Sequence, residues 1–349
     1  MPTLHGALPP SPYCIPALSF VHWYTQHPNT PPPPPLDKVS HVSIIGNGNV
    51  SLDVARMLLT NVTVLSQYDV PQPVLDLLYC STVKHVSIIG RRGPLEAAFT
   101  MKELREMINL PEASMVPLNP SLLATPPSNP PLTRQQSRVL QLLKQGSKNL
   151  PGTTSKSWSL HFFRSPTHLA PPSPDNPSAR LSLSYTTLDP QTNRAIPTGE
   201  TSTLATDLVI TSLGFHAEPT HTDFYDPGLR HLRTLSGRVI NTCGTTLKNV
   251  YASGWAATGA KGVLASTMMD AYGVADTIIS DWQANGQNKI LLDLEEPPQE
   301  VRKALKEGKV TEYADWKRID EEEVRRGEAS GKKRERMGWV EVSKFLEFK

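Results

Sequence analysis

Short apolar runs rich in Val and Ile, each closing on glycine, punctuate the first third of the chain. The hexapeptide HVSIIG occurs at His41–Gly46 and again at His85–Gly90. Short continuous apolar runs of this kind fit strands buried on both faces of a parallel sheet. After the first copy, Val50, Val54, Met57 and Leu58 recur at helical spacing. Between about Val39 and Leu110 the order is strand, helix, loop, strand, helix, the rhythm of a parallel sheet covered by helices. A third buried-strand candidate, TDLVITSLG at Thr206–Gly214, also ends on glycine.

Elsewhere the pattern is more broken. CIPALSFVHWYTQHPN predicts a short packed helix, and the run Pro31–Pro35 predicts an extended, semi-rigid connector. The stretch from about Pro111 to Pro197 reads mostly as loop. Within it, TRQQSRVLQLLKQ predicts an amphipathic helix with Val139, Leu140, Leu142 and Leu143 on its apolar side, and LHFFRSP and ARLSLSYTTL alternate like strands. The segment from SGRVINT to SDW reads as two short strands, a glycine-rich turn and a helix. From about Asp293 onward the scattered apolar residues and dense charge predict a solvated helical arm. These shifts divide the chain into an N-terminal segment with its Pro-rich linker (1–35), a sheet domain (36–219), a smaller second domain (220–292) and the arm (293–349).

Composition narrows the classes. The 33 prolines among 349 residues assign much of the length to loops, and a net charge of +2 gives no global case for nucleic acid or a membrane surface. Cys14, Cys80 and Cys243 lie far apart without a CxxC, which removes a zinc ribbon or a redox dithiol and fits a reducing compartment. No apolar run reaches the length of a membrane span. The first residues, MPTLHGALPPSPYC, have neither a transit peptide's arginine-rich amphipathicity nor a signal peptide's apolar core. No metal-ligand cluster and no catalytic nucleophile stands out.

The chemistry sits in the two turns after the repeated strand. Gly46-Asn47-Gly48-Asn49-Val50-Ser51 is a GxGxxG-type loop with serine in the third glycine's place. The first glycine permits a tight turn, the second a close approach of backbone to a pyrophosphate, and the third position needs only a small residue. The helix that follows would turn its N-terminal N–H groups and positive dipole end to phosphate oxygens. A glycine-rich turn without a ligand is the plainer alternative. After the second strand, where an NAD site carries an acidic residue for the ribose 2′-OH, this chain has Arg91-Arg92. Two guanidinium forks suit a 2′-phosphate and so NADP. The repeat is therefore expected to form two neighbouring strands of one sheet.

GNGNVSLDVARMLL followed by VSIIGRRGPLEAAFTMKELREMINLP resembles the NADP domain of mitochondrial NADPH–adrenodoxin (ferredoxin) reductases. LHFFRSP, TDLVITSLGF, YASGWAATGAKGVLASTMMD, DWKRIDEEEVRRGEASGKKRER and FVHWYTQHP extend the resemblance in order across nearly the whole chain. The resemblance implies an α/β fold: a Rossmann-like parallel-sheet NADP domain plus the C-terminal part of an FAD/NAD(P)-type domain. It implies a flavoprotein that uses NADPH and FAD. Asn47, Gly48, Asn49 and Val50 would hold the NADPH pyrophosphate and ribose, and Arg91 and Arg92 the 2′-phosphate. Glu103 resembles a further NADP contact, against the alternative of a solvated helix carboxylate. Trp255, Gly262, Val263 and Leu264 would lie beside the flavin, with a helix starting near Gly262 directing its dipole there, and Gly262 would also approach the nicotinamide.

The partner implied is an acidic [2Fe–2S] ferredoxin of the adrenodoxin kind, met by Arg134 and Arg138 with Lys144 and Lys148 in the same region, or by nothing if these are an ordinary solvated face. The place implied is the mitochondrial matrix or the matrix side of the inner membrane, which leaves peripheral membrane association open. The family's N-terminal FAD-binding portion has no counterpart here, so a truncated chain, or a short form without flavin, is expected, with apolar faces left uncovered. The competing function is an NADP(H)-binding module without redox activity. A glutamate-synthase-type subunit would need cysteine clusters that the sequence lacks.

Overall fold

The computed structural model describes residues 8–124, 132–215, 223–260, 262, 264–284, 299–307 and 311–346. The chain divides into two compact units, Met1–Leu213 with Lys303–Lys349, and Gly214–Arg302.

The first unit opens with strand β1 (Cys14–Pro16), helix α1 (Ala17–Thr25), β2 (His41–Ile45) and α2 (Asn49–Leu59). Two helices, α3 (Val62–Leu65) and α4 (Gln72–Tyr79), precede β3 (His85–Ile89). Then come α5 (Met101–Ile108), β4 (Ala113–Met115), α6 (Arg134–Gln145), β5 (Lys156–His161), β6 (Arg164–Ala170), β7 (Ala179–Leu188), β8 (Ala195–Thr206) and β9 (Leu208–Thr211). Six of these strands form one sheet in the order β1-β9-β2-β3-β5-β4, all pairs parallel. The two hexapeptides are neighbours, paired residue for residue from His41↔His85 to Ile45↔Ile89. The α/β fold class with a parallel sheet is thus as expected.

Period-two alternation separates the two faces of this sheet. On one face Val42, Ile44, Val86, Ile88, Trp158, Leu160, Leu208 and Ile210 join a single core with residues of α1, α2, α4, α5 and α6. On the other, Ile45, Ile89 and Val209 pack against Leu181 and Leu183 of β7. That strand is the centre of an antiparallel meander, β6-β7-β8. The stretch from about Pro111 to Pro197, expected to be mostly loop, therefore supplies β5, which lies between β3 and β4, and part of a covering layer. ARLSLSYTTL coincides with β7, whereas LHFFRSP spans the turn between β5 and β6.

The N-terminal segment belongs to the same unit and is not set apart from it. β1 pairs with β9, and Phe20 and Trp23 of α1 and Leu36 after the proline run are core residues. α6 forms as the pattern predicts, with a capping box between Thr133 and Gln136.

The C-terminal arm contains α9 (Gln299–Lys306), α10 (Tyr313–Ala329) and α11 (Trp339–Phe345). It is not a solvated arm. The Lys332 ammonium, 3% exposed, pairs with Glu335 and donates to Val70 O at 2.9 Å. Glu335 accepts from Gln72 N at 2.8 Å, capping α4, and Arg336 meets Asp69 at 3.0 Å. Met337 and Val342 are buried. The few apolar residues anchor the arm and its charges satisfy backbone groups, a pairing that charge density alone does not reveal.

The second unit has strands β10 (Tyr225–Asp226), β11 (His231–Leu232), β12 (Thr234–Leu235), β13 (Arg238–Ile240) and β14 (Thr246–Tyr251), then helices α7 (Trp255–Thr258) and α8 (Leu264–Ala284). Its apolar core is small: Val239, Ala252 and Ala257, with Phe224, Leu232 and Leu247 packed against it. Ion pairing supplements it. Arg238 grips Asp281 of α8 through two bonds of 2.7 and 2.6 Å, and the Tyr251 hydroxyl donates to the same carboxylate at 2.9 Å. In α8 only Val274 is buried, whereas Leu264 (90%), Met269 (65%) and Trp282 (77%) are exposed.

A polar ladder crosses the sheet on the face that carries Ile45 and Ile89. His41 bonds Ser87 at 2.8 Å, His85 bonds Ser157 and Ser159 at 2.8 and 2.9 Å, and Ser159 bonds His161 at 2.9 Å. Burial, then His85, pushes the His41 imidazole down to about 4 from 6.5, against the opposing pull of Asp207. Burial also lowers His85 and His161. The His41 ring stays neutral in the folded chain down to about 4, while the unfolded chain takes up its proton near pH 6.5. Its stabilising contribution is therefore complete above pH 6.5 and is lost as the pH falls toward about 4, and His85 and His161 act in the same direction. Thermal unfolding between pH 7 and 4 should therefore show a falling Tm, and His41→Asn should flatten the slope. An unchanged slope in the variant would remove His41 from the account.

Candidate functional site

In the first unit the loop after β2 is fixed from three sides. Gly46 N–H donates to Ile89 O at 2.8 Å, Ser212 N–H to Ile45 O at 2.7 Å and Ala98 N–H to Asn47 O at 2.9 Å. Gly46 has φ +132°, and a Cβ there would lie 2.0 Å from Ser212 O, so both conformation and space demand glycine. Ser51, in the third glycine's place, is fully buried, with its Oγ 3.4 Å from the position a Gly46 Cβ would take. A small residue is indeed what the helix–strand contact needs there.

Gly48 is the N-cap of α2 and offers no side chain to the helix's first N–H groups. Nothing lies within 4 Å of where its Cβ would stand. Open donors beside open space, at the positive end of an 11-residue helix, fit an anionic group such as a pyrophosphate. Asn47 lies across the start of the neighbouring loop: a Cβ on Gly90 would be 1.8 Å from its Nδ2, and its Oδ1 is a buried acceptor without a partner. Asn49 is used within the fold, its Oδ1 accepting from Thr100 N at 2.7 Å. Thr100 in turn caps α5. Val50 packs partly buried against the core.

The loop after β3 carries Arg91, exposed, and Arg92, half-buried. Its backbone is tied to the β5–β6 junction: Gly90 N–H donates to His161 O at 2.9 Å, Arg164 N–H to Gly90 O at 3.0 Å and Phe163 N–H to Arg92 O at 3.2 Å. Neither guanidinium has a carboxylate partner among the described residues. Two unneutralised forks on a fixed backbone fit a phosphate monoester. The glycine loop and the arginine pair thus come together at one end of adjacent strands β2 and β3.

Glu103 is neither solvated nor free. Its side chain is 17% exposed and lies 3.2 Å from Arg56 Nη1, and Arg56 also holds Asp53 at 2.6 Å and pairs with Glu106. Burial, and after it the neighbouring Glu103, raise the Asp53 carboxyl against the opposing pull of Arg56. These four side chains meet only because α2 and α5 lie side by side, which no local sequence pattern reveals. Arg134 and Arg138 are exposed on α6, and neither has a carboxylate partner among the described residues.

The residues expected beside a flavin fall in the second unit. Trp255 is half-exposed and stacks on Phe215, with ring centroids 5.8 Å apart at 23°. The turn before it is held by Asp270 of α8, which accepts from Ser253 Oγ at 2.9 Å and Gly254 N at 2.7 Å. Gly262 has φ +88°, and α8 begins two residues later, at Leu264. Val263 lies outside the described residues. Among the described residues no group of three or more His, Cys, Asp or Glu is arranged to hold a metal ion, and no helix is long and apolar enough to cross a membrane.

No protein-family model matches the chain. The chain is 35% identical over 336 residues to NADPH:adrenodoxin oxidoreductase, mitochondrial, of Bos taurus, an alignment covering 92% of this chain and 66% of that protein. The Drosophila melanogaster protein of the same name is 32% identical, with 94% of this chain and 68% of the relative covered. Among solved structures, Mycobacterium tuberculosis FprA in complex with NADPH matches with a TM-score of 0.80 at 28% identity, covering 96% of this chain and 73% of that one. The chain spans about two thirds of the length of these curated relatives.

The geometry separates the two loop glycines. Gly46→Ala should cost at least about 2 kcal/mol in urea unfolding, through its backbone clash and positive φ. Gly48→Ala, at an ordinary φ in open space, should cost less, up to about 1 kcal/mol, because alanine is a poorer N-cap than glycine. Equal losses would mean that the Ser212 contact does not constrain the loop.

Proposed function

Because this chain belongs to the NADPH:adrenodoxin oxidoreductase family, we propose that it serves electron transfer from NADPH through FAD to a [2Fe–2S] ferredoxin. The observation that carries the NADPH half is the pairing of an open helix N-terminus after β2 with two unpartnered arginines after β3. In this reading the first N–H groups of α2 bind the pyrophosphate, and Arg91 and Arg92 bind the 2′-phosphate that NAD lacks. Asn47, Gly48, Asn49 and Val50 shape the path of the dinucleotide. Glu103 acts by fixing Arg56 between α2 and α5, behind the loop.

Trp255, Gly262, Val263 and Leu264 form the flavin-side segment, with Gly262 leaving room for a nicotinamide. The chemistry that bound FAD supplies is acceptance of two electrons together and their release one at a time. The protein's own part is to bind, orient and exclude water, with no side-chain nucleophile and no metal. Arg134 and Arg138 steer an acidic ferredoxin to this chain. The names of the relatives support a mitochondrial location. The matrix, or the matrix side of the inner membrane, is the compartment we propose.

One preparation tests both halves. The chain is incubated with FAD and desalted, the flavin band is recorded, and NADPH and NADH are titrated. Retained flavin that NADPH bleaches supports the reductase, whereas NADPH preference without retained flavin supports an NADP(H)-binding module. Arg91→Ala with Arg92→Ala should reduce NADPH affinity by about 10- to 100-fold and leave NADH nearly unchanged, the range for charge-assisted hydrogen bonds. No preference in the parent chain would overturn the assignment. In a flavin-retaining preparation, Arg134→Glu with Arg138→Glu should raise the ferredoxin KM steeply at low salt. An unchanged KM would place the ferredoxin elsewhere.

A further inference from the structure

The arginine loop is held by more than backbone pairing. Thr186 of β7, 7% exposed, donates its hydroxyl to Arg91 O at 2.8 Å. A break in the sheet brings it there. The β7–β8 register runs Ser184↔Thr201 and resumes at Thr186↔Pro197, so Thr198, Gly199 and Glu200 stand opposite Tyr185 alone. Such bulges re-aim side chains. Thr186 N–H faces the β6 side and continues the β6–β7 ladder past Arg164↔Tyr185, donating to Phe163 O at 3.1 Å.

Phe163 is the hinge of this assembly, a non-glycine residue at φ +54°. Its ring lies 2.5 Å from where a Gly93 Cβ would stand, which closes the far end of the arginine loop. The Arg164 guanidinium fixes the turn, donating to Phe163 O at 2.9 Å while lying over the Tyr185 ring at 3.3 Å. Arg91 and Arg92 therefore have both carbonyls captured, one by a side-chain hydroxyl and one by a backbone N–H.

We propose that Thr186 is a positioning residue for the arginine pair and thereby sets the preference for NADPH over NADH. This rests on the 2′-phosphate reading of Arg91 and Arg92. Thr186 touches no phosphate itself. Its hydroxyl holds the Arg91 carbonyl, and so decides whether the adjacent guanidinium forks meet a phosphate without first paying to be ordered. The pyrophosphate end of the site depends on α2 and should not feel the change.

The test measures NADPH and NADH dissociation constants for the full chain and for Thr186→Val, Thr186→Ser, and Arg91→Ala with Arg92→Ala. Thr186→Val keeps the β-branched shape and removes the donor. It should weaken NADPH about three- to tenfold, the range for one hydrogen bond, and leave NADH unchanged. Thr186→Ser should restore the ratio. A purely structural role would lower Tm or weaken both nucleotides alike, and either result without a change in the NADPH-to-NADH ratio overturns the proposal. If the valine variant does not fold, Thr186→Ala is read in the same way against the serine variant. If the double arginine variant keeps the full NADPH preference, the 2′-phosphate reading itself falls. A response there without one at Thr186 rejects this inference alone.

Discussion

The in-register parallel pairing of β2 with β3 is the constraint on which the nucleotide site depends. It brings Gly46 and Gly90 level, so the two loops leave the sheet side by side. Asn47 can then lie over Gly90 only because Gly90 has no side chain, and Gly46 can bond Ile89 O while passing Ser212. A one-residue slip would turn Val42 and Ile44 from the helical core to the polar face and separate the loops. The repeated hexapeptide matches this geometry, because identical strands present the same residues at the same heights.

The two faces of the sheet do different work. On the helical side, Trp158 and its apolar neighbours supply the burial that stabilises the unit. On the other side, histidines and serines bond one another across β2, β3 and β5, and the meander covers the isoleucines beside them. The strand β7 that supplies this covering also carries Thr186, so packing and the placement of the arginines are linked through one layer. The arm adds a second use of charge, with Lys332 and Glu335 filling backbone needs around Val70 and Gln72.

The second unit follows another balance. With few buried apolar side chains, it relies on Asp281 and Asp270, which hold α8 to β13, β14 and the turn before Trp255. Arg238, through its hydrogen bonds, keeps the Asp281 carboxyl below the usual carboxylate range. The exposed apolar residues of α8 make this helix unlike α1, α2, α4, α5 and α6, each of which sends apolar residues into a shared core.

Local pattern carried much of this protein. Short β-branched runs determined β2, β3 and β9, the glycine spacing determined the loop after β2, and Arg91-Arg92 determined the sign of the charge after β3. These are properties of neighbouring residues, and backbone sterics and side-chain period act over that range. The tertiary structure alone decided that residues 14–16 form a strand beside β9, that the charged arm docks on the first unit, that Glu103 turns to Arg56, and that Thr186 reaches Arg91. In each case the partners are distant in sequence: 95 positions separate Thr186 from Arg91 and 262 separate Lys332 from Val70. No local preference distinguishes such a threonine or lysine from its neighbours. Its role exists only once the chain has closed the loop between the two, and that closure is set by the sheet order and the packing of the whole unit.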